Sequence, residues 1–174
     1  VVKRLFPVIA IVYFFSSCSA IPQKDSSGFY FLKDEPFSGK HVEFFGPKMP
    51  REELLIQKGV VLVRLCYDTD GHHRETYVYN TAGKLQEHLK LDKAANILVH
   101  TFYSSTGRLQ EKKQFNAAGD LLWREVYSYN SLGIVIETTI FNGKNEIVSR
   151  TTLSPDSQSY HHSNNILQQE SVYE

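Results

Sequence analysis

One turn phrase recurs along most of this chain: an aromatic residue, then Asp, Asn or Ser, two variable residues, and Gly. It reads Tyr67-Asp68-Thr69-Asp70-Gly71, Tyr79-Asn80-Thr81-Ala82-Gly83, Tyr103-Ser104-Ser105-Thr106-Gly107 and Tyr129-Asn130-Ser131-Leu132-Gly133. Phe115 with Asn116-Ala117-Ala118-Gly119 adds a further copy, and Asn142-Gly143-Lys144-Asn145 adds another turn. Gly71 and Gly83 are 12 residues apart, Gly83 and Gly107 24, Gly107 and Gly119 12, and Gly119 and Gly133 14. The glycine missing near residue 95 is read as replaced by Asn96, since Asn also tolerates positive φ. A period near 12 leaves about eight residues per strand and four per turn, which is the spacing of tandem hairpins.

Between the turns the side chains alternate with period two, as in a sheet whose faces differ. Leu85, Glu87, Leu89 and Leu91 share one face of their segment, and Leu109, Glu111, Lys113 and Phe115 share one face of theirs. Leu121 to Tyr129 and Ile134 to Phe141 are apolar on both faces, so a cover over the second face is expected there. Arg51 to Lys58 is the best helix candidate, short and ended by Gly59. His161 to Glu170 mimics the Asn80 to Glu87 unit and reads as a degenerate last repeat that caps the sheet.

The start of the chain has a different character. Lys3 and Arg4 precede an apolar run from Leu5 to Phe15, too short to span a bilayer comfortably, and Ser16-Ser17-Cys18 follows. This arrangement resembles a bacterial lipoprotein signal. The resemblance implies cleavage before Cys18, lipidation of its thiol, and, because Ser19 and not Asp follows, the outer membrane in a Gram-negative cell. Residues 1–17 are thus expected to be signal, 18–28 the lipidated cysteine and a small, polar tether, and 29–174 one β-repeat domain. Several acyl chains on one cysteine would hold where one chain alone binds weakly.

Composition removes some functions. Lys+Arg and Asp+Glu are both 19, so the net charge is zero, and no basic cluster is present for nucleic acid. With Cys18 lipidated, Cys66 is the only cysteine left, and it reads as a small hydrophobe on a strand.

The stretch Phe29 to Phe45, with Glu35-Pro36-Phe37-Ser38-Gly39 at its centre, resembles the opening of bacterial MORN-variant repeat proteins. Gly83-Lys84-Leu85-Gln86-Glu87 and Gly107-Arg108-Leu109-Gln110-Glu111 fit the second half of that repeat, and Tyr67-Asp68 with Gly71 and Tyr129-Asn130 with Gly133 resemble YD repeats. The resemblance covers most of residues 29 to 153. It implies an all-β, elongated, twisted antiparallel meander and roles in binding or assembly.

Candidate chemistry follows from the repeat. Glu75, Glu87, Glu111 and Glu137 each stand four residues after a turn glycine. Positions one hairpin apart are two strands, roughly 9.5 Å, from one another, too far to share a proton or one metal ion. Cross-strand pairing with basic residues is the expected role. The His72-His73 and His161-His162 pairs lack a zinc spacing, and no Gly-x-Ser-x-Gly or phosphate loop occurs. Catalytic residues, metals and cofactors are therefore not expected. Aromatics make up 13% of the chain, and Tyr and Trp are effective anchors. The candidate binding surface is Tyr79, Tyr103, Trp123, Tyr127 and Tyr129 with Glu87, Glu111 and Glu137. The expected function is non-catalytic binding or scaffolding at the cell envelope, with a membrane anchor and a protein or glycan partner. The alternatives are an envelope enzyme using the Glu ladder and an antitoxin-like partner protein.

Overall fold

The computed structural model describes residues 21–153. The signal segment, Cys18 and the degenerate last repeat lie outside the described residues. The described chain is all-β: β1 (Gln23–Lys24), β2 (Tyr30–Leu32), β3 (Glu35–Pro36), β4 (Gly39–Gly46), β5 (Met49–Gln57), β6 (Val60–Tyr67), β7 (His73–Tyr79), β8 (Leu85–Leu91), β9 (Ile97–Tyr103), β10 (Leu109–Phe115), β11 (Leu121–Tyr129), β12 (Val135–Asn142) and β13 (Ile147–Thr152). Strands β4 to β13 form one ten-stranded antiparallel meander in sequence order, with β4 and β13 at its open edges. The fold class expected from the sequence is observed. Arg51 to Lys58 falls in β5 and its turn, because Leu54 and Ile56 serve a core at period two.

The turn phrase has a definite physical form. In Asp68 to His72 the Gly71 N–H donates to the Asp68 carbonyl (3.0 Å) and the Asp68 N–H to the His72 carbonyl (3.0 Å). The Asp68 carboxylate accepts the N–H groups of Asp70 (3.0 Å) and His72 (2.9 Å). This is a three-residue hairpin loop ending in a left-handed residue, φ 83° at Gly71. Asn80, Asp92, Asn116, Asn130 and Asn142 hold the same two N–H groups, two and four residues on. Ser104 holds the Arg108 N–H alone (3.0 Å) and has Thr106 Oγ1 2.8 Å from its hydroxyl.

The acceptor, rather than the residue type three places later, fixes where positive φ falls. In Asp92 to Asn96 the left-handed residue is Ala95 (φ 63°), not Asn96. Asn96 fills the last position, donating its N–H to Asp92 Oδ1 (2.8 Å) and its amide to Oδ2 (2.9 Å). The same design also appears inside the stretch expected as tether. Asp25 accepts from the Ser27 and Phe29 N–H groups (both 2.9 Å), and β1 pairs with β2.

The aromatic of each phrase also has a partner. Tyr79 lies opposite Leu85, Tyr103 opposite Leu109, Phe115 opposite Leu121 and Tyr129 opposite Val135. Aromatic–aliphatic pairs of this kind contribute roughly 0.2–1 kcal/mol each. A register shift beside each of these pairs marks a bulge on the strand that leaves the turn.

The small sheet β1-β2-β3 lies over one face of the large one. The Tyr30 N–H donates to the Gly59 carbonyl (2.9 Å), and the Gly59 N–H to the Phe37 carbonyl (2.7 Å). A Cβ on Gly59 would meet the Phe29 ring at 2.0 Å, and its φ is +80°, so only glycine fits between the two sheets. At this clamp Tyr30 of the small sheet packs with Leu54 and Ile56 of the large one in a buried cluster flanked by Phe37 and Val61. Beyond β6 the extensive contacts among the described residues run between sheet neighbours. The cover expected over the apolar central strands is not found among the described residues, and side chains there are shielded mainly by their cross-strand neighbours.

Ala95 in the left-handed region costs about 1 kcal/mol that glycine would not. Ala95→Gly is expected to raise the unfolding free energy by about 0.5–1 kcal/mol in urea denaturation. No gain, or a loss, would contradict this reading of the turn.

Candidate functional site

Register assigns each paired strand position to a face. One row runs Leu54, Arg64, Tyr77, His88, Thr101, Lys112, Glu125, Ile140 and Ser149. Alternation adds Tyr79, Tyr103, Trp123, Tyr127 and Tyr129 to the same face. We call it the tyrosine face. The opposite face carries a row of Val78, Glu87, Phe102, Glu111, Val126, Thr139 and Arg150, with Glu137 beside it. The eight residues expected as one binding surface therefore divide: the five aromatics share one face and the three glutamates share the other.

Strand direction explains the division. A residue four places after the left-handed turn residue falls on one face after turns at one end of the sheet, and on the other face after turns at the opposite end. Glu75, Val99, Trp123 and Ser149 follow turns at one end and stand on the tyrosine face. Glu87, Glu111 and Glu137 follow turns at the other end and stand opposite. The same rule sends the aromatics that precede turns to alternate faces. Tyr79, Tyr103 and Tyr129 therefore occupy equivalent places on β7, β9 and β11, two strands or roughly 9.5 Å apart. They make a row of phenols along one end of the tyrosine face.

Two grooves adjoin this row. One, of about 510 Å³, lies between the small sheet and the tyrosine face and is lined by Lys24, Tyr30, Glu43, Arg51, Arg64 and Tyr79, among others. Its cations are largely committed: Arg64 makes two hydrogen bonds to Glu52 (2.5 and 2.9 Å), and Arg51 pairs with Glu43. The other, of about 400 Å³, is lined by Ser104, Ser105, Thr106, Arg108, Gln110, Tyr127 and Tyr129 with Val126. The Tyr129 hydroxyl donates to the Leu109 carbonyl (2.5 Å), and the Arg108 guanidinium stands 6.0 Å from the Tyr129 ring centre. Burial and a hydrogen bond to the neighbouring Glu125 raise the Tyr127 phenol, which stays protonated.

Between the grooves the tyrosine face holds a polar cluster that strand alternation alone did not single out. The Tyr77 and His88 rings stack with centroids 4.3 Å apart, and Arg64 lies 5.5 Å from the Tyr77 ring centre. Tyr77 donates its hydroxyl to Glu75, and His88 Nε2 is 3.3 Å from the same carboxylate. Burial lowers the His88 pKa against the pull of Glu75. Burial raises that of Glu75, but the Tyr77 hydroxyl and His88 outweigh it and leave the carboxyl below its ordinary value. Burial pushes the Cys66 thiol up, so it is no activated nucleophile.

On the opposite face the glutamates are engaged by their neighbours. Glu87 meets His100 Nε2 at 2.9 Å, Glu111 meets Lys113 at 2.8 Å and Arg124 at 3.1 Å, and Glu137 meets the Thr139 hydroxyl at 3.1 Å and Arg150 at 3.6 Å. The His100 ring packs on Phe102 with centroids 3.9 Å apart. Among the described residues one acid–histidine group, Asp68, Asp70 and His72, has ligand atoms within 4.8 Å of one another. Asp68 already caps its turn, Lys93 stands 3.6 Å from Asp70, and Arg74 stands 3.9 Å from Asp68, so local cations already answer the acids.

No family model matches the chain, and no curated protein matches it. The solved structures that resemble it weakly include two complexes. One is the complex of accessory secretory proteins 1, 2 and 3 of Streptococcus pneumoniae, at 13% identity and TM-score 0.40, covering 58% of this chain and 18% of that one. The other is a GtfA/B complex bound to UDP and GlcNAc, at 12% identity and TM-score 0.39, covering 64% of this chain and 26% of that one.

The cluster sets a pH dependence. The folded-state pKa values of His88 and Glu75 both lie below their ordinary values of 6.5 and 4.5. The folded chain then binds fewer protons than the unfolded one, so stability is full above those values and is lost as pH falls through them. In His88→Gln the fall in unfolding free energy between about pH 7 and 5.5 is expected to flatten. An unchanged slope in urea titrations across that range would contradict the assignment.

Proposed function

We propose that this protein is a non-catalytic binding or scaffolding module of the cell envelope, anchored through a lipid on Cys18, and that it binds an extended protein or glycan on its tyrosine face. The observation that carries this reading is the alignment of Tyr79, Tyr103 and Tyr129 at equivalent places on alternate strands, with Trp123 and Tyr127 on the same face. A row of aromatic rings at a constant spacing suits a ligand with its own repeat. The adjoining groove adds the donors and acceptors of Arg108, Gln110 and Ser104. The enzymatic alternative is disfavoured because Glu87, Glu111 and Glu137 are each committed to a neighbouring side chain, and Glu87 and Glu111 stand two strands apart with Phe102 between them.

Capture of envelope components by the immobilised chain tests the face. Tyr103→Ser combined with Tyr127→Ser and Tyr129→Ser is expected to abolish it, while the opposite-face pair Glu111→Gln and Glu137→Gln leaves it intact. Capture that survives the first set and fails with the second would overturn the reading. In cells, labelled palmitate is expected on the wild type and not on Cys18→Ala; an unlabelled wild type would remove the anchor.

A further inference from the structure

The two edges of the large sheet carry matching chemistry at the same end. Successive hairpin turns alternate between the two ends of the sheet, so the β4–β5 turn and the β12–β13 turn lie at the same end. The last residues of β4 and the first of β13 lie beside those turns. Phe44 and Phe45 are 52% and 47% exposed there, and Ile147 and Val148 are 53% and 59% exposed. Met49 and Leu122, also exposed, flank the same rim. Among the described residues nothing pairs with the outer side of either strand.

The even number of strands gives these edges opposite directions. In a sheet of ten, β4 and β13 run antiparallel. A second copy placed beside the first in the same orientation therefore presents its β4 to β13 as an antiparallel neighbour, continuing the meander. Face identity then restricts the register to every second residue, and avoiding Arg150 opposite Lys40 excludes Ser149 opposite His41. Glu43 and Ser149 stand on the tyrosine face, whereas Val42 and Arg150 stand on the opposite face. Setting Ser149 opposite Glu43 places Arg150 opposite Val42 and Thr152 opposite Lys40. No like charges meet directly, and Ile147 and Val148 arrive at Phe45 and Phe44. Edge strands that stay single are commonly guarded by several charges or proline. β13 carries one charge, Arg150, among β-branched and small residues. β11 and β12 begin with the same bulge, and the following strand pairs with each only from the residue after it, Trp123 and Glu137, so the backbone ladder on β13 is expected to start at Ser149, with Ile147 and Val148 meeting Phe45 and Phe44 through side chains beyond it.

We propose that copies of this chain associate head to tail, β13 of one copy against β4 of the next, with Phe44 and Phe45 packed on Ile147 and Val148. The contact is heterologous: each copy uses both edges, so association extends beyond a dimer. It uses strand edges, independent of the tyrosine face.

Sedimentation velocity over a concentration series on the full chain tests it. The wild type is expected to form dimers and larger species. Val148→Lys and Phe44→Asp are each expected to weaken association about tenfold or more, a loss of at least ~1.4 kcal/mol. The double variant, which sets a lysine against an aspartate across each contact, is expected to recover much of it. Thermal melts of the dilute variants show that each still folds, since neither side chain is buried in the single copy. A wild type that stays monomeric, as when another segment of the chain occupies an edge, would overturn the proposal. So would association that survives both single variants, or a double variant no better than the singles.

Discussion

One side-chain oxygen, accepting two backbone N–H groups, closes hairpin after hairpin in this protein. Asp68, Asn80, Asp92, Asn116, Asn130 and Asn142 each perform this task, and Ser104 performs half of it. The oxygen satisfies N–H groups that the tight loop would otherwise leave unpaired. It also fixes the loop at one length, and loop length fixes strand register. Because the register is the same at these turns, the aromatic before the loop meets an aliphatic after it at Tyr79, Tyr103, Phe115 and Tyr129, and His73 at Tyr67. The tyrosine row is a consequence of that repetition.

The rest of the fold follows from having one layer. Among the described residues only Tyr30, Leu54, Ile56 and Leu91 are buried apolar side chains, and the first three meet where the small sheet packs on the large one. Elsewhere stability rests on backbone ladders and cross-strand pairs, as in repeat proteins whose units touch only their neighbours. Two of the basic side chains then serve two neighbours each. Arg124 meets Glu111 while its guanidinium lies 3.9 Å from the Phe141 ring centre, and Lys113 meets Glu111 while lying 4.6 Å from that of Phe102. Such pairs cover apolar rings that a second layer would cover in a sandwich.

Much of this was legible in the sequence, and what was not has physical reasons. The glycine period and the alternation between turns sufficed for an antiparallel meander. The position of positive φ at Ala95 was not legible, because Asn96 is the better left-handed residue by type; counting from the acceptor Asp92 would have found it. The turn at Asp25 escaped because its aromatic position holds Lys24. The expected binding surface mixed residues of two faces because equivalent repeat positions look alike in sequence, yet successive strands run in opposite directions. Counting Glu87 from a turn at one end and Trp123 from a turn at the other would have separated them. The Tyr77, His88 and Arg64 cluster needed the register between β6, β7 and β8, which depends on bulges that no residue type announces.

The central claim is that the acceptor oxygen, and not the particular residue bearing it, holds each hairpin. Urea unfolding of two variants at one turn tests this most directly. Asn130→Ala removes the acceptor and is predicted to cost about 1 kcal/mol, the magnitude of a lost side-chain cap. Asn130→Asp keeps the oxygen, as Asp68 and Asp92 do naturally, and is predicted to leave stability within about 0.5 kcal/mol of the wild type. Equal unfolding midpoints for Ala and wild type, or equal losses for Ala and Asp, would contradict it.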